Sequence, residues 1–186
     1  MMQERRPIRR CDPTCQVPKC ETAIVTPAEA LAHARNAHQD QVDKDGAPYI
    51  THIERVVARA SELAPPDIRE LCTIAAALHD IVEDTPTTFD DLRAVGVPED
   101  AVRAVASLTH TKGEAYTAAI FRAAADPIGR WVKLADHLDN SDESRLALLD
   151  DATATRLREK YRSVRPILLE ATGYTMPDEP GEPPMA

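Results

Sequence analysis

The chain has 186 residues, a formal charge of −9 and a pI near 5.1. The length suits one domain with a sizeable core, while the acidity argues against gripping nucleic acid through the overall field, so no DNA binding is expected. With 43% hydrophobic and only 4% aromatic residues, packing must rest on Leu, Ile, Val and many Ala, a mix that favours close-packed helices.

Residues 1–22 combine Arg, Pro and Cys without periodicity and read as a flexible leader. The Arg-rich start "MMQERRPIRR" is not followed by the apolar segment of a secretory signal, and no apolar run approaches the roughly 20 residues of a membrane span. A cytoplasmic protein is the expectation. Cys11, Cys15 and Cys20 lack the paired C-x-x-C spacing of a zinc site and have no evident fourth ligand, so they read as thiols of the leader; Cys72 reads as core. The folded domain is expected over residues 23–174, followed by a Pro-rich acidic tail, "MPDEPGEPPMA", within 175–186.

Inside the domain, Thr26, Pro27 and Glu29 spell a capping box and predict a helix to about Gln39. A Gly and Pro loop, "KDGAPYITH", leads to a second helix from about Ile53 to Leu63, stopped by Pro65 and Pro66. The third helix starts near Asp67 and carries Leu71, Ile74, Ala75, Leu78 and Val82 as a core stripe, which predicts one continuous helix through Asp84. Further starts are signalled by Thr88 with Asp91, by Pro98, by "EAYTAAIFRAAA" and by Pro127. A last long helix over residues 151–172 should be disturbed at Pro166 and closed by Gly173. With no sustained strand alternation and no internal repeat, the expected fold is all-α, a compact bundle of about seven or eight helices.

The stretch "AALHDIVEDT", residues 76–85, gathers His79, Asp80, Glu83 and Asp84 beside an apolar run. Burying such charges unpaired is prohibitive, so they form either a solvated helix face or a cation site. His79 and Asp80 supply two ligands; His52, after the rigid "PYITH" approach, and Asp136, inside "VKLADHLDN", are candidates for the rest. Two imidazoles and two carboxylates suit a borderline divalent ion such as Mn²⁺ or Fe²⁺ better than Mg²⁺. On a continuous helix Glu83 would follow His79, and Asp84 would follow Asp80, by one turn and lean over the same site.

These motifs, with "AHQDQVDKDGAPYITH", "SLTHTK" and "VKLADHLDN", resemble the HD-domain metal phosphohydrolases, specifically the (p)ppGpp hydrolase domain of RelA/SpoT homologues and its small stand-alone relatives, over residues 26–165. The resemblance implies an HD-domain bundle with His52, His79, Asp80 and Asp136 as metal ligands. It implies that Glu83 and Asp84 act around the attacking water, and that Lys44, Tyr49, Lys112 and Asn140 line the nucleotide pocket. Arg156, Arg158 and Tyr161 are further candidates to close that pocket from the last helix, without clean alignment. His33, His38, His110 and His137 read as packing or surface residues.

One departure stands out: Asp43 occupies the place where the family usually has an arginine whose flat guanidinium can stack on guanine. The expectation is therefore an enzyme that takes a small polyanionic nucleotide and releases pyrophosphate from its 3′ position, with the base left open. The same chemistry on an adenine alarmone, another nucleotide or a pyrophosphorylated RNA end is the first alternative. A non-catalytic nucleotide sensor, or an antitoxin-like partner of an alarmone synthetase, is the other. A homo-oligomer is compatible with either. The sequence shows no synthetase half.

Overall fold

The computed structural model describes residues 24–43 and 46–176. Among these the chain forms α1 (Pro27–Ala37), α2 (Ile50–Leu63), α3 (Arg69–Leu78), α4 (Ile81–Asp84), α5 (Phe89–Ala94), α6 (Glu99–Leu108), α7 (Tyr116–Ala125), α8 (Gly129–Asn140), α9 (Glu143–Leu146) and α10 (Asp151–Thr172). No strand occurs among the described residues, only a single antiparallel bridge between Val42 and Pro48 in the α1–α2 loop. None of the described helices is long and apolar enough to cross a membrane. The leader with Cys11, Cys15 and Cys20, Lys44, and the tail from residue 177 lie outside the described residues.

Helix α3 is the hub, packed against α1, α2, α6 and α8. Alanine makes this possible: Ala30 and Ala34 of α1, Ala60 of α2, Ala75, Ala76 and Ala77 of α3, Ala101 and Ala104 of α6, and Ala135 of α8 are all fully buried. Small side chains at these crossings let helix axes approach closely, and the many short-range contacts replace the bulk that aromatic residues would supply. Cys72 is a free, buried thiol in this core, and burial pushes its pKa up to about 12. A second cluster, Ile120, Leu134, Val164 and Leu168, joins α7, α8 and α10.

The expected caps are present. Thr26 and Glu29 form the capping box of α1, Thr88 and Asp91 that of α5, and Gly173 closes α10 in the left-handed region at φ +67°. Other expectations fail for local reasons. Helix α2 begins at Ile50, a turn early, which places His52 within its first turn. The third helix does not continue to Asp84. His79 turns its Nδ1 onto the Ala76 carbonyl at 2.8 Å, the oxygen that the Asp80 amide would take in an unbroken helix. The chain turns at His79 and Asp80 and resumes as the four-residue α4. Helix α10 runs through Pro166, whose missing N–H would have bonded Arg162; both residues are exposed, so the freed carbonyl can meet water.

Candidate metal centre

Three parts of the fold bring four donor residues to one point. His52 comes from the first turn of α2, His79 and Asp80 from the turn between α3 and α4, and Asp136 from the middle of α8. His52 Nε2 lies 3.5 Å from Asp136 Oδ1 and 4.0 Å from Asp80 Oδ2. His79 Nε2 lies 2.9 Å from Asp80 Oδ2 and 4.0 Å from Asp136 Oδ1. Donors bound at about 2.1 Å to one ion sit about 3 to 4 Å apart, so these separations fit a single small cation. Donor atoms of His52, His79 and Asp136 all fall within 4.8 Å of one another. His79 Nε2 is buried and has no hydrogen-bond partner, since its close approach to Asp80 lacks hydrogen-bond alignment. Such an orphaned nitrogen is costly unless a cation occupies it. The residues therefore fit a divalent metal ion.

Outer contacts hold these donors in place. His52 donates through Nδ1 to Asp139 Oδ2 at 2.8 Å, and His79 through Nδ1 to the Ala76 carbonyl, which leaves Nε2 of both rings facing the centre. Asp139 is fully buried and is neutralised by Arg55 at 2.8 Å and by Arg145. Burial would raise the Asp139 carboxyl, but His52 and Arg55 outweigh it and hold it down at about 2. Lys133 Nζ reaches Asp136 Oδ2 at 2.8 Å, and Asn140 donates to Asp136 Oδ1. Tyr49 donates its hydroxyl to Asp80 Oδ2 at 2.5 Å. Burial together with the Asp80 charge pushes the Tyr49 phenol up, so it stays a donor.

The centre opens into a cleft of about 350 Å³ lined by Asp43, Tyr49, Tyr116, Lys133, Lys160 and Tyr161 among others. Lys160 of α10 sets its ammonium 4.0 Å from the centroid of the Tyr116 ring and 5.7 Å from that of Tyr161. His137, read as packing or surface, is buried and also lines this cleft. Burial and the nearby Arg165 press its pKa down to about 4.

Other expected site residues fall elsewhere. Glu83 and Asp84 are exposed and do not line the cleft. The break after Leu78 turns Glu83 away from His79, and its carboxylate accepts from the His110 amide at 2.7 Å. That contact ties α4 to the loop carrying Lys112, a loop also clamped by Arg122, which bonds Glu114 and the carbonyls of Ala106, Ser107 and Thr109. Lys112 itself is exposed and outside the cleft lining. Asp84 remains in the field of the centre: burial, then Asp80 and Glu83, raise its carboxyl pKa. Tyr49 and Asn140 line the cleft, but give their polar groups to Asp80 and Asp136. Arg158 is paired with Glu143, and Arg156 is exposed.

Sequence reading passed over Asp139, Lys133, Arg145 and Lys160. Asp139 and Lys133 each sit three residues from Asp136 on α8, the one spacing signal available. Arg145 pairs with both Asp139 and Asp43, and Arg55 reaches Asp43 at 4.0 Å, so Asp43 belongs to a four-charge ring bearing on His52.

Residues 49–141, half of the chain, match the model of the HD domain. The chain belongs to the HD-domain family. Within it, the HD chain is 44% identical over 64 residues to the bifunctional (p)ppGpp synthase/hydrolase SpoT of Escherichia coli K12, covering 34% of this chain and 9% of that protein. It is 34% identical over 77 residues to the zebrafish (Danio rerio) guanosine-3′,5′-bis(diphosphate) 3′-pyrophosphohydrolase MESH1, covering 40% of this chain and 41% of that one. A probable GTP pyrophosphokinase of Mycobacterium leprae is 34% identical over 158 residues, 81% of this chain and 19% of its own length. The HD chain thus spans well under half the length of these curated relatives. A solved structure described as a metazoan SpoT orthologue that hydrolyses ppGpp superimposes with a TM-score of 0.61 at 23% identity, covering 85% of this chain and 88% of that one, and shares the fold.

Proposed function

We propose that this HD domain, folded over residues 23–174, is a cytoplasmic hydrolase dependent on Mn²⁺, with Fe²⁺ as the nearest substitute. It releases pyrophosphate from the 3′ position of a (p)ppGpp-like nucleotide. The observation that carries the reading is the convergence of His52, His79, Asp80 and Asp136 on one point, with His52, Asp80 and Asp136 lining a cleft that also holds Lys133 and Lys160 and with His79 buried behind them. The activities for which SpoT and MESH1 are named point to the substrate class. Two imidazoles and two carboxylates favour a borderline divalent ion. Such an ion supplies Lewis acidity, acidifying water and neutralising phosphate charge.

Each side chain then has a task. Asp84, with its raised pKa, is suited to take a proton from the attacking water, and Glu83 would help to orient that water on releasing the His110 amide that it holds here. Lys133 neutralises Asp136 and faces the cleft; Tyr49 and Asn140 steady Asp80 and Asp136. Lys160, poised over Tyr116, supplies a cation for the phosphate chain, and Lys44 and Lys112 would meet the nucleotide from the flanking loops. Losing one charge-assisted contact costs about 1.5–3 kcal/mol, so Lys160→Met should raise KM about ten- to a hundredfold with kcat nearly kept. Steady-state kinetics check this.

Asp43, held by Arg145, offers no flat cation for a base to stack on. Guanine and adenine forms of the substrate should accordingly differ in kcat/KM by less than tenfold, under about 1.4 kcal/mol. The single change Asp43→Arg would set a third guanidinium beside Arg55 and Arg145, so the base comparison belongs in the unaltered protein. The decisive test incubates Mn²⁺-loaded protein with a panel of 3′-pyrophosphorylated and ordinary nucleotides and identifies the products. Pyrophosphate release supports the reading. Orthophosphate from simple monoesters would make it a nucleotidase-like enzyme, and binding without turnover a sensor or partner of an alarmone synthetase.

A further inference from the structure

His38 and Gln41 carry none of the chemistry assigned above, yet they are bonded into it. His38 caps α1 and is 1% exposed, with its ring 5.2 Å from that of Tyr49. Its Nδ1 lies 2.7 Å from Gln41 Oε1. Gln41 Nε2 in turn donates to the backbone carbonyl of Asp84 at 2.9 Å, and the Gln41 carbonyl accepts from the Tyr49 amide at 2.9 Å. A carbonyl can only accept, so the Asp84 oxygen fixes which way the Gln41 amide faces. Oε1 must then receive a proton from His38 Nδ1.

Helix α4 needs outside support. It has four residues, too few to be stable alone, and the chain leaves it extended at Thr85. Its last carbonyls lack partners within the helix. Gln41, 43 residues earlier in the chain, supplies one at Asp84. The same two residues hold Tyr49, His38 through its ring and Gln41 through its backbone carbonyl, and the Tyr49 hydroxyl in turn holds Asp80. The arrangement also leaves His38 Nε2 buried without a partner. A histidine serving only as packing could be replaced by an apolar side chain and avoid that cost.

We propose that His38 and Gln41 form a positioning strut that sets the Asp84 carboxylate and, through Tyr49, the Asp80 carboxylate in register across the centre. Gln41 holds the end of α4; His38 holds Gln41 and braces Tyr49. The inference rests on the reading of Asp84 given under the proposed function, and its test includes one arm that does not.

That arm is ¹⁵N NMR of the His38 ring in the unaltered protein, which should show the proton on Nδ1. A ring protonated on Nε2 alone would overturn the strut whatever the protein hydrolyses. The second arm uses Mn²⁺-loaded Gln41→Leu, His38→Leu and His38→Asn with guanosine 3′,5′-bis(diphosphate). Gln41→Leu and His38→Leu should lower kcat about ten- to a hundredfold, with KM within threefold and bound Mn²⁺ unchanged. His38→Asn keeps a donor near the Nδ1 position and should recover most of kcat. Wild-type kcat in Gln41→Leu, or losses explained by KM or metal content, would overturn the proposal. Absence of hydrolysis by the wild type would instead count against the proposed function.

Discussion

His79→Ala should remove metal and turnover together. The substitution deletes the one buried ring nitrogen at the centre that makes no aligned hydrogen bond, and leaves Asp80 and Asp136 facing each other with one imidazole fewer. Loss of an outer partner of a metal ligand typically costs 10–100-fold in affinity. Loss of a ligand should exceed that, so metal affinity is expected to fall by more than about 100-fold. Asp139→Asn provides the internal comparison, because Asp139 acts through His52 and should fall inside the 10–100-fold range. Elemental analysis and Mn²⁺ titration of both variants check the order. One Mn²⁺ retained per chain in His79→Ala would mean the ligand set is wrong.

Asp84→Asn and Glu83→Gln should do the reverse, keeping metal while single-turnover hydrolysis falls by about 10²- to 10⁴-fold, the range for loss of general acid–base assistance. Both changes preserve shape and sit on an exposed helix end, so neither opens a cavity. Glu83→Gln also retains an acceptor for the His110 amide, leaving the tie to the Lys112 loop intact. Hydrolysis, metal content and a thermal melt are measured side by side. Near-normal turnover in Asp84→Asn would return it to a solvated helix end, and near-normal turnover in Glu83→Gln would reduce Glu83 to the anchor of that loop.

What the sequence disclosed follows from range. The boxes at Thr26 with Glu29 and at Thr88 with Asp91, the closing Gly173 and the alanine-rich core are written in local patterns, and the structure realises them. The ligand candidates were legible because His79–Asp80 and "VKLADHLDN" are compact motifs in apolar surroundings. The fate of Glu83 was not, because it depends on the His79 side chain competing for the Ala76 carbonyl and breaking α3. Asp139 reads like any helix acid until α2 and α9 bring Arg55 and Arg145 onto it. Asp43 was recognised as a departure, but its partner Arg145 lies 102 residues away on a four-residue helix too short to show periodicity. Lys160 carries no local signal, because only the packing of α10 on α7 and α8 places it over Tyr116.

The central claim is that the donors around His79 serve metal-dependent removal of a 3′-pyrophosphate. A ³¹P NMR time course of Mn²⁺-loaded protein with guanosine 3′,5′-bis(diphosphate), run with and without a chelator, tests it most directly. The account predicts pyrophosphate and guanosine 5′-diphosphate appearing in equal amounts, and no reaction once the metal is chelated. Orthophosphate as the first product, or pyrophosphate release that persists with the metal removed, would contradict it.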